Sequence, residues 1–241
     1  MRSARAAGRG PGDVLYSAEI TTEKVSGEEF VKLVLFQSAP NGEIVPGLMT
    51  DRGVVDISGA VKKGYTPQLT MQGIIDGYDG LKPSLEKLAA EGKAIPAAQV
   101  QLKAPLPRPG KILCCIANYW EHAQREARPL NMFMKNPDAV VGPGDTIMLP
   151  EYTVPWAFMH EAELALVIKG PAKMVKQQDW KSAVFGYTTL IDVSARELGR
   201  RTWPAIPLTS WPGKSFDTFA PTGPCLATAD AVKDPNSLIG R

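Results

Sequence analysis

Three carboxylates in this chain fall where a strand should be apolar, and their spacing points to chemistry. Glu161 and Glu163 head the run ELALVIKG. Side chains alternate faces along a strand, so E-x-E puts both carboxylates on one face, near enough to share one ion. Without a cation the two repel, and one takes up a proton. The same spacing also suits a solvated strand entrance. Asp192 lies inside GYTTLIDVSAR, where an unpaired buried carboxylate is strongly destabilising, so it needs a partner. One solution is convergence with Glu161 and Glu163 on a hard divalent cation, Mg²⁺ or Mn²⁺, with waters left for a substrate to displace. The other is a buried ion pair with nearby Arg196 or Arg200.

His122, in NYWEHAQRE, follows the strand-like run KILCCIAN where a strand tip gives way to a loop or helix. Loops held by a rigid sheet are favoured places for catalysis, although a lone histidine is also often structural. Lys214, in WPGKSFDTFAP, follows Pro212 and Gly213, a turn able to aim an ammonium into a cleft or simply to carry a surface lysine. Lys135, in FMKNP, has the same two readings.

The elements that must position these residues are short. The 22 glycines and 21 prolines in 241 residues are about half again the roughly 12% of average usage, which favours many strands and turns over long helices. Residues 29–37 read as a strand, and 42–58 as two strands joined at Asp51, Arg52 and Gly53, a small antiparallel meander. Apolar residues at helical spacing between Pro67 and Gly92 predict two short helices, with Pro83 in the first turn of the second. Prolines at 96, 105, 107 and 109 mark 94–110 as a linker and place a domain boundary near residue 108. Beyond it, 111–118, 145–150, 162–170 and 184–195 read as strands, the last two covered on both faces, with one helix around 177–184.

Bulk properties exclude several classes. With 27 Lys+Arg against 25 Asp+Glu, nucleic-acid binding driven by bulk charge is excluded. No apolar run approaches the roughly 18 residues of a membrane span. Three cysteines without a paired spacing fit a reducing, cytoplasmic setting. The basic stretch MRSARAAGRGPG lacks the apolar core of a secretory signal and reads as part of a disordered start over 1–28, with a transit peptide as the other reading.

Five segments, KILCCIANYWEHA, FMKNPDAVVGPGD, HEAELALVIKG, GYTTLIDVSAR and GKSFDTFAPTGP, stand in the order found in the fumarylacetoacetate hydrolase family, which the chain resembles over roughly residues 108–230. The resemblance implies a β-rich α+β fold: a β-sandwich roll catalytic domain over 108–241, preceded by a small α+β domain and Pro-rich linker over 29–107. It implies that Glu161, Glu163 and Asp192 bind Mg²⁺ or Mn²⁺, in some members Ca²⁺. His122 then serves as general base, and Lys214 holds the oxygens of a small 2-oxo or 2,4-dioxo acid, with Lys135 and Arg125 as further substrate contacts. Hydrolysis of a C–C bond and isomerisation both draw on such a metal-stabilised enolate.

The chain departs from the family pattern at three places. Arg125 stands where many members place the glutamate that orients the histidine, with Glu126 one residue later as the available partner. Gly199 stands where a glutamine is frequent. The family pattern continues past the position of Arg241 through further strands and a TGTPxGVG-type loop, so the expectation is a catalytic domain incomplete at its C-terminal end. A homodimer is the expected assembly, and a catalytically inactive relative that keeps the metal site is the competing reading.

Overall fold

The computed structural model of the chain describes residues 31–116, 118–119, 130–149, 156–197 and 212–238. The expected disordered start over 1–28 lies outside them.

The meander forms as expected, from β1 (Lys32–Gln37), β2 (Val45–Thr50) and β3 (Gly53–Asp56), paired antiparallel. Gly53 starts β3 with a φ of +126°, and a Cβ there would run into the Ile95 carbonyl. That position requires glycine.

Both helices form. α1 (Pro67–Asp76) begins with Pro67 after the cap Thr66, whose Oγ1 accepts from the Leu69 N–H at 3.2 Å. α2 (Tyr78–Glu91) starts earlier than the prolines predict: Pro83 stands inside it rather than in its first turn. Met71, Ile74, Ile75, Tyr78 and Leu85 are buried against Leu33, Leu35, Leu48, Val55 and Leu226 in one cluster. At the C-terminal end of α2, the Arg52 guanidinium donates to the carbonyls of Ala89 (2.8 Å), Ala90 (2.8 Å) and Gly92 (3.0 Å), acceptors that a helix end otherwise leaves to solvent.

The segment 94–110 is not simply a linker. It contributes β4 (Ala94–Ile95), paired with β3, and β5 (Gln101–Lys103), paired with β1. Its prolines fall between and after these strands, where no ladder donor is lost.

The second half opens with a separate hairpin, β6 (Ile112–Cys115) and β7 (Met132–Lys135). A short β8 (Val140–Val141) runs parallel to β11 (Ala220–Thr228), while β9 (Trp156–Ile168) and β10 (Val184–Glu197) make the long antiparallel ladder of the molecule. The main sheet runs β4-β3-β2-β1-β11-β10-β9. It crosses residue 108 without a break, because β1 pairs directly with β11.

Three local expectations are corrected. The expected strand at 145–150 is absent from its described part, 145–149: Asp145 accepts from the Gly142 N–H at 2.8 Å, and the Met148 N–H donates to Thr218 Oγ1 at 2.7 Å, so local and long-range side-chain bonds replace a ladder. The helix near 177–184 is a 3₁₀ helix, Gln177–Ala183. Finally, β10 is covered on both faces but β9 is not. As the last strand of the sheet it leaves Leu166 43% and Ile168 52% exposed.

Candidate functional site

The β9–β10 register sets Glu161 opposite Asp192 and Glu163 opposite Leu190. Directly paired residues share a face, as do residues two apart on one strand, so all three carboxylates project from the same face. One ligand oxygen from each lies within 4.8 Å of the others. The convergence expected from the sequence is therefore realised.

Two lysines complete the cluster. Lys135 on β7 reaches across to β10, where its Nζ lies 2.5 Å from Asp192 Oδ1 and 3.2 Å from the Val193 carbonyl. Its side chain is fully buried. Burial pulls its pKa below the usual lysine value, an effect that the Asp192 carboxylate opposes. Lys135, expected as a substrate contact, has its ammonium on Asp192 and the Val193 carbonyl, shut off from solvent. Lys214 ends the 3₁₀ turn Pro212–Lys214, and its Nζ lies 2.5 Å from both Glu161 Oε2 and Asp192 Oδ2. The Pro-Gly turn does aim this ammonium inward. The partners that the structure shows for Asp192 are these two lysines; the side chains of Arg196 and Arg200 lie outside the described residues, as do Gly199 and the whole of His122, Arg125 and Glu126.

The β6–β7 hairpin roofs this face. Alternation along β7 turns Phe133 and Lys135 inward and leaves Met132 and Met134 exposed. The Phe133 ring lies 5.3 Å from Lys214 Nζ, a cation–π distance. Cys114 packs with Leu190 and Ala165 below the hairpin, and burial, followed by the nearby Asp192 charge, pushes its thiol up to about 12. That burial disfavours its thiolate form. Tyr119 stands just beyond β6; its hydroxyl accepts from the Leu164 N–H at 3.1 Å and interacts with the Glu163 carboxyl. Burial first, then the Asp192 and Glu161 charges, raises Glu163 to about 7, against the lowering effect of Tyr119 and Lys214.

This donor set suits a hard divalent cation. It is all carboxylate oxygen, spaced for one ion, and buried enough that one acid retains a proton near neutrality. Tyr119 and Phe133 were not singled out from the sequence. The signal for Tyr119 was its place at the tip of the KILCCIAN strand, and for Phe133 its two-residue spacing from Lys135.

The sequence profile described as Fumarylacetoacetate (FAA) hydrolase C-terminal matches residues 111–239. The chain belongs to this family. Among fumarylacetoacetate hydrolase relatives, it is 36% identical over 216 residues to the oxaloacetate tautomerase Fahd2a, mitochondrial, of Rattus norvegicus, covering 86% of this chain and 66% of that protein. It is 34% identical over 148 residues to the oxaloacetate tautomerase YisK of Bacillus subtilis, covering 58% of this chain and 47% of that one. The chain thus spans just under two thirds of the rat relative and about half of the bacterial one. The crystal structure of a maleylpyruvate hydrolase from Sphingobium sp. SYK-6 superposes with a TM-score of 0.71 at 34% identity, covering 85% of this chain and 70% of that one. A second structure of that enzyme, in complex with manganese(II) and pyruvate, gives a TM-score of 0.69 at 32% identity, covering 85% and 69%. These similarities establish the β-rich fumarylacetoacetate hydrolase fold for this chain.

Proposed function

We propose that the protein is a divalent-cation-dependent enzyme that acts on a small 2-oxo diacid through an enolate, by keto–enol tautomerisation or isomerisation, with C–C hydrolysis of a 2,4-dioxo acid as the alternative outcome. The convergence of Glu161, Glu163 and Asp192 on one sheet face carries this reading. The relatives support it, since oxaloacetate and maleylpyruvate, for which they are named, are both 2-oxo diacids.

The three carboxylates would hold Mg²⁺ or Mn²⁺, and when bound the cation supplies Lewis-acid stabilisation of the developing enolate oxygen. Lys214, once off Glu161 and Asp192, offers an ammonium to the substrate's carboxylate, with the Phe133 face beside it. Tyr119 anchors Glu163. The β6–β7 hairpin keeps bulk water from the buried Asp192. His122 is the proposed base for the α-proton, with Glu126 as its orienting partner and Arg125 as a further substrate contact. No helix among the described residues is long and apolar enough to cross a membrane. The cytoplasm is the proposed compartment, on cysteine usage, and a pair of identical copies the proposed assembly.

The test is thermal melting with and without Mn²⁺, followed by assay of oxaloacetate tautomerisation and maleylpyruvate cleavage. Mn²⁺ raises the melting temperature of the wild type and leaves that of Asp192→Ala unchanged. Turnover of either acid, lost in the same variant, supports the enzyme. A cation-induced shift without turnover of either acid favours the inactive relative.

A further inference from the structure

Asp192 is held from both sides, and its two holders differ in kind. Lys135 Nζ bonds Oδ1 from a side chain with no solvent exposure, seated on a strand and tied also to the Val193 carbonyl. Lys214 Nζ bonds Oδ2 and bridges to Glu161 Oε2, from a side chain 13% exposed that ends a Pro-Gly turn. The oxygens bonded by Lys214 belong to two of the three carboxylates that could ligate a cation. An ammonium and a divalent ion seeking the same carboxylates compete.

We propose that the two lysines divide the work on Asp192: Lys135 is a permanent positioning residue that fixes the carboxylate through Oδ1, and Lys214 is an internal cation that a divalent ion displaces from Oδ2 and Glu161. The inference rests on the cation-binding reading above. Its two halves predict opposite effects of removing a positive charge. Simple Coulomb repulsion would make either lysine unfavourable to a bound cation, so losing either would tighten binding. Under the proposal only the loss of Lys214 does so. Loss of Lys135 leaves Oδ1 without its buried ammonium and frees the Asp192 carboxylate to rotate, and groups that orient metal ligands typically contribute 10- to 100-fold to affinity.

The experiment is Mn²⁺ titration by calorimetry, with electron paramagnetic resonance of the bound ion, on the wild type, Lys214→Met and Lys135→Met. Arg52→Ala, which removes the guanidinium bonds to the end of α2, controls for general destabilisation. Lys214→Met binds Mn²⁺ about tenfold more tightly, equivalent to about 1.4 kcal/mol. Lys135→Met binds about 10- to 100-fold more weakly, with a broadened spectrum from a disordered ligand set, and Arg52→Ala matches the wild type. Equal or weaker binding by Lys214→Met overturns the displacement. Equal or tighter binding by Lys135→Met overturns the positioning role. If Lys135→Met does not fold, Lys135→Arg, which keeps the charge but moves it, takes its place: weaker binding supports the positioning role, and equal or tighter binding overturns it. A wild type that binds no Mn²⁺ overturns the functional reading itself, a result distinct from either reversal.

Discussion

Glu163 makes cation binding sensitive to pH. Its pKa, raised from 4.5 to about 7 chiefly by burial, means that the folded chain holds a proton there which the unfolded chain has released. Between those values the folded state binds more protons than the unfolded one, so this group's contribution to stability falls as pH rises through the window. A cation needs the deprotonated form, so apparent Mn²⁺ affinity falls progressively below pH about 7, toward tenfold per unit, with a proton released on binding. Glu163→Gln removes both the proton release and most of the affinity, and calorimetry in buffers of different ionisation enthalpy measures both. The carboxylates were legible because period-two spacing and an acid inside an apolar run are local signals. Lys135 was not, because its place depends on a long side chain reaching from one sheet to another. Only the paired strands reveal that FMKNP delivers its ammonium to DVSAR rather than to solvent.

At the level of elements, the sequence is most legible where one signal acts alone. Met71, Ile74 and Ile75 mark α1, and the Thr66-Pro67 pair marks its start. Pro83 misled because packing of Tyr78 and Leu85 extends α2 past a residue that disfavours a helix interior. Residues 94–103 misled because prolines that flank strands look, in one dimension, like prolines that forbid them. Arg52 shows what no local pattern carries: a turn residue between β2 and β3 closes the end of a helix that terminates about 40 positions later. Arg52→Ala therefore costs about 1 kcal/mol, from lost carbonyl bonds and lost favourable interaction with the helix dipole. Differential scanning calorimetry should register a fall of about 2–4 °C in melting temperature.

Across the whole molecule, one sheet joins the helix-covered meander to the carboxylate-bearing ladder through the β1–β11 pair. The boundary near residue 108 was read from prolines, whereas strand pairing over nearly 200 positions of sequence leaves no one-dimensional mark. Leu113, Met132 and Met134 form an exposed apolar outer surface on the β6–β7 hairpin, at 56%, 44% and 50% exposure. Such a surface favours burial against another protein surface. Sedimentation should give twice the 26.0 kDa chain mass, and joint Met132→Lys and Met134→Lys should return the single-chain mass. The protein's overall charge is only +2, too small to draw an acidic substrate from a distance. What meets that substrate is the local charge. With Glu161 and Asp192 ionised against Lys135 and Lys214, and Glu163 holding its proton, the cluster is neutral. A divalent ion that takes the place of that proton leaves the cluster one charge positive, so the order of arrival is built into the site: the diacid meets no attraction until the ion is seated.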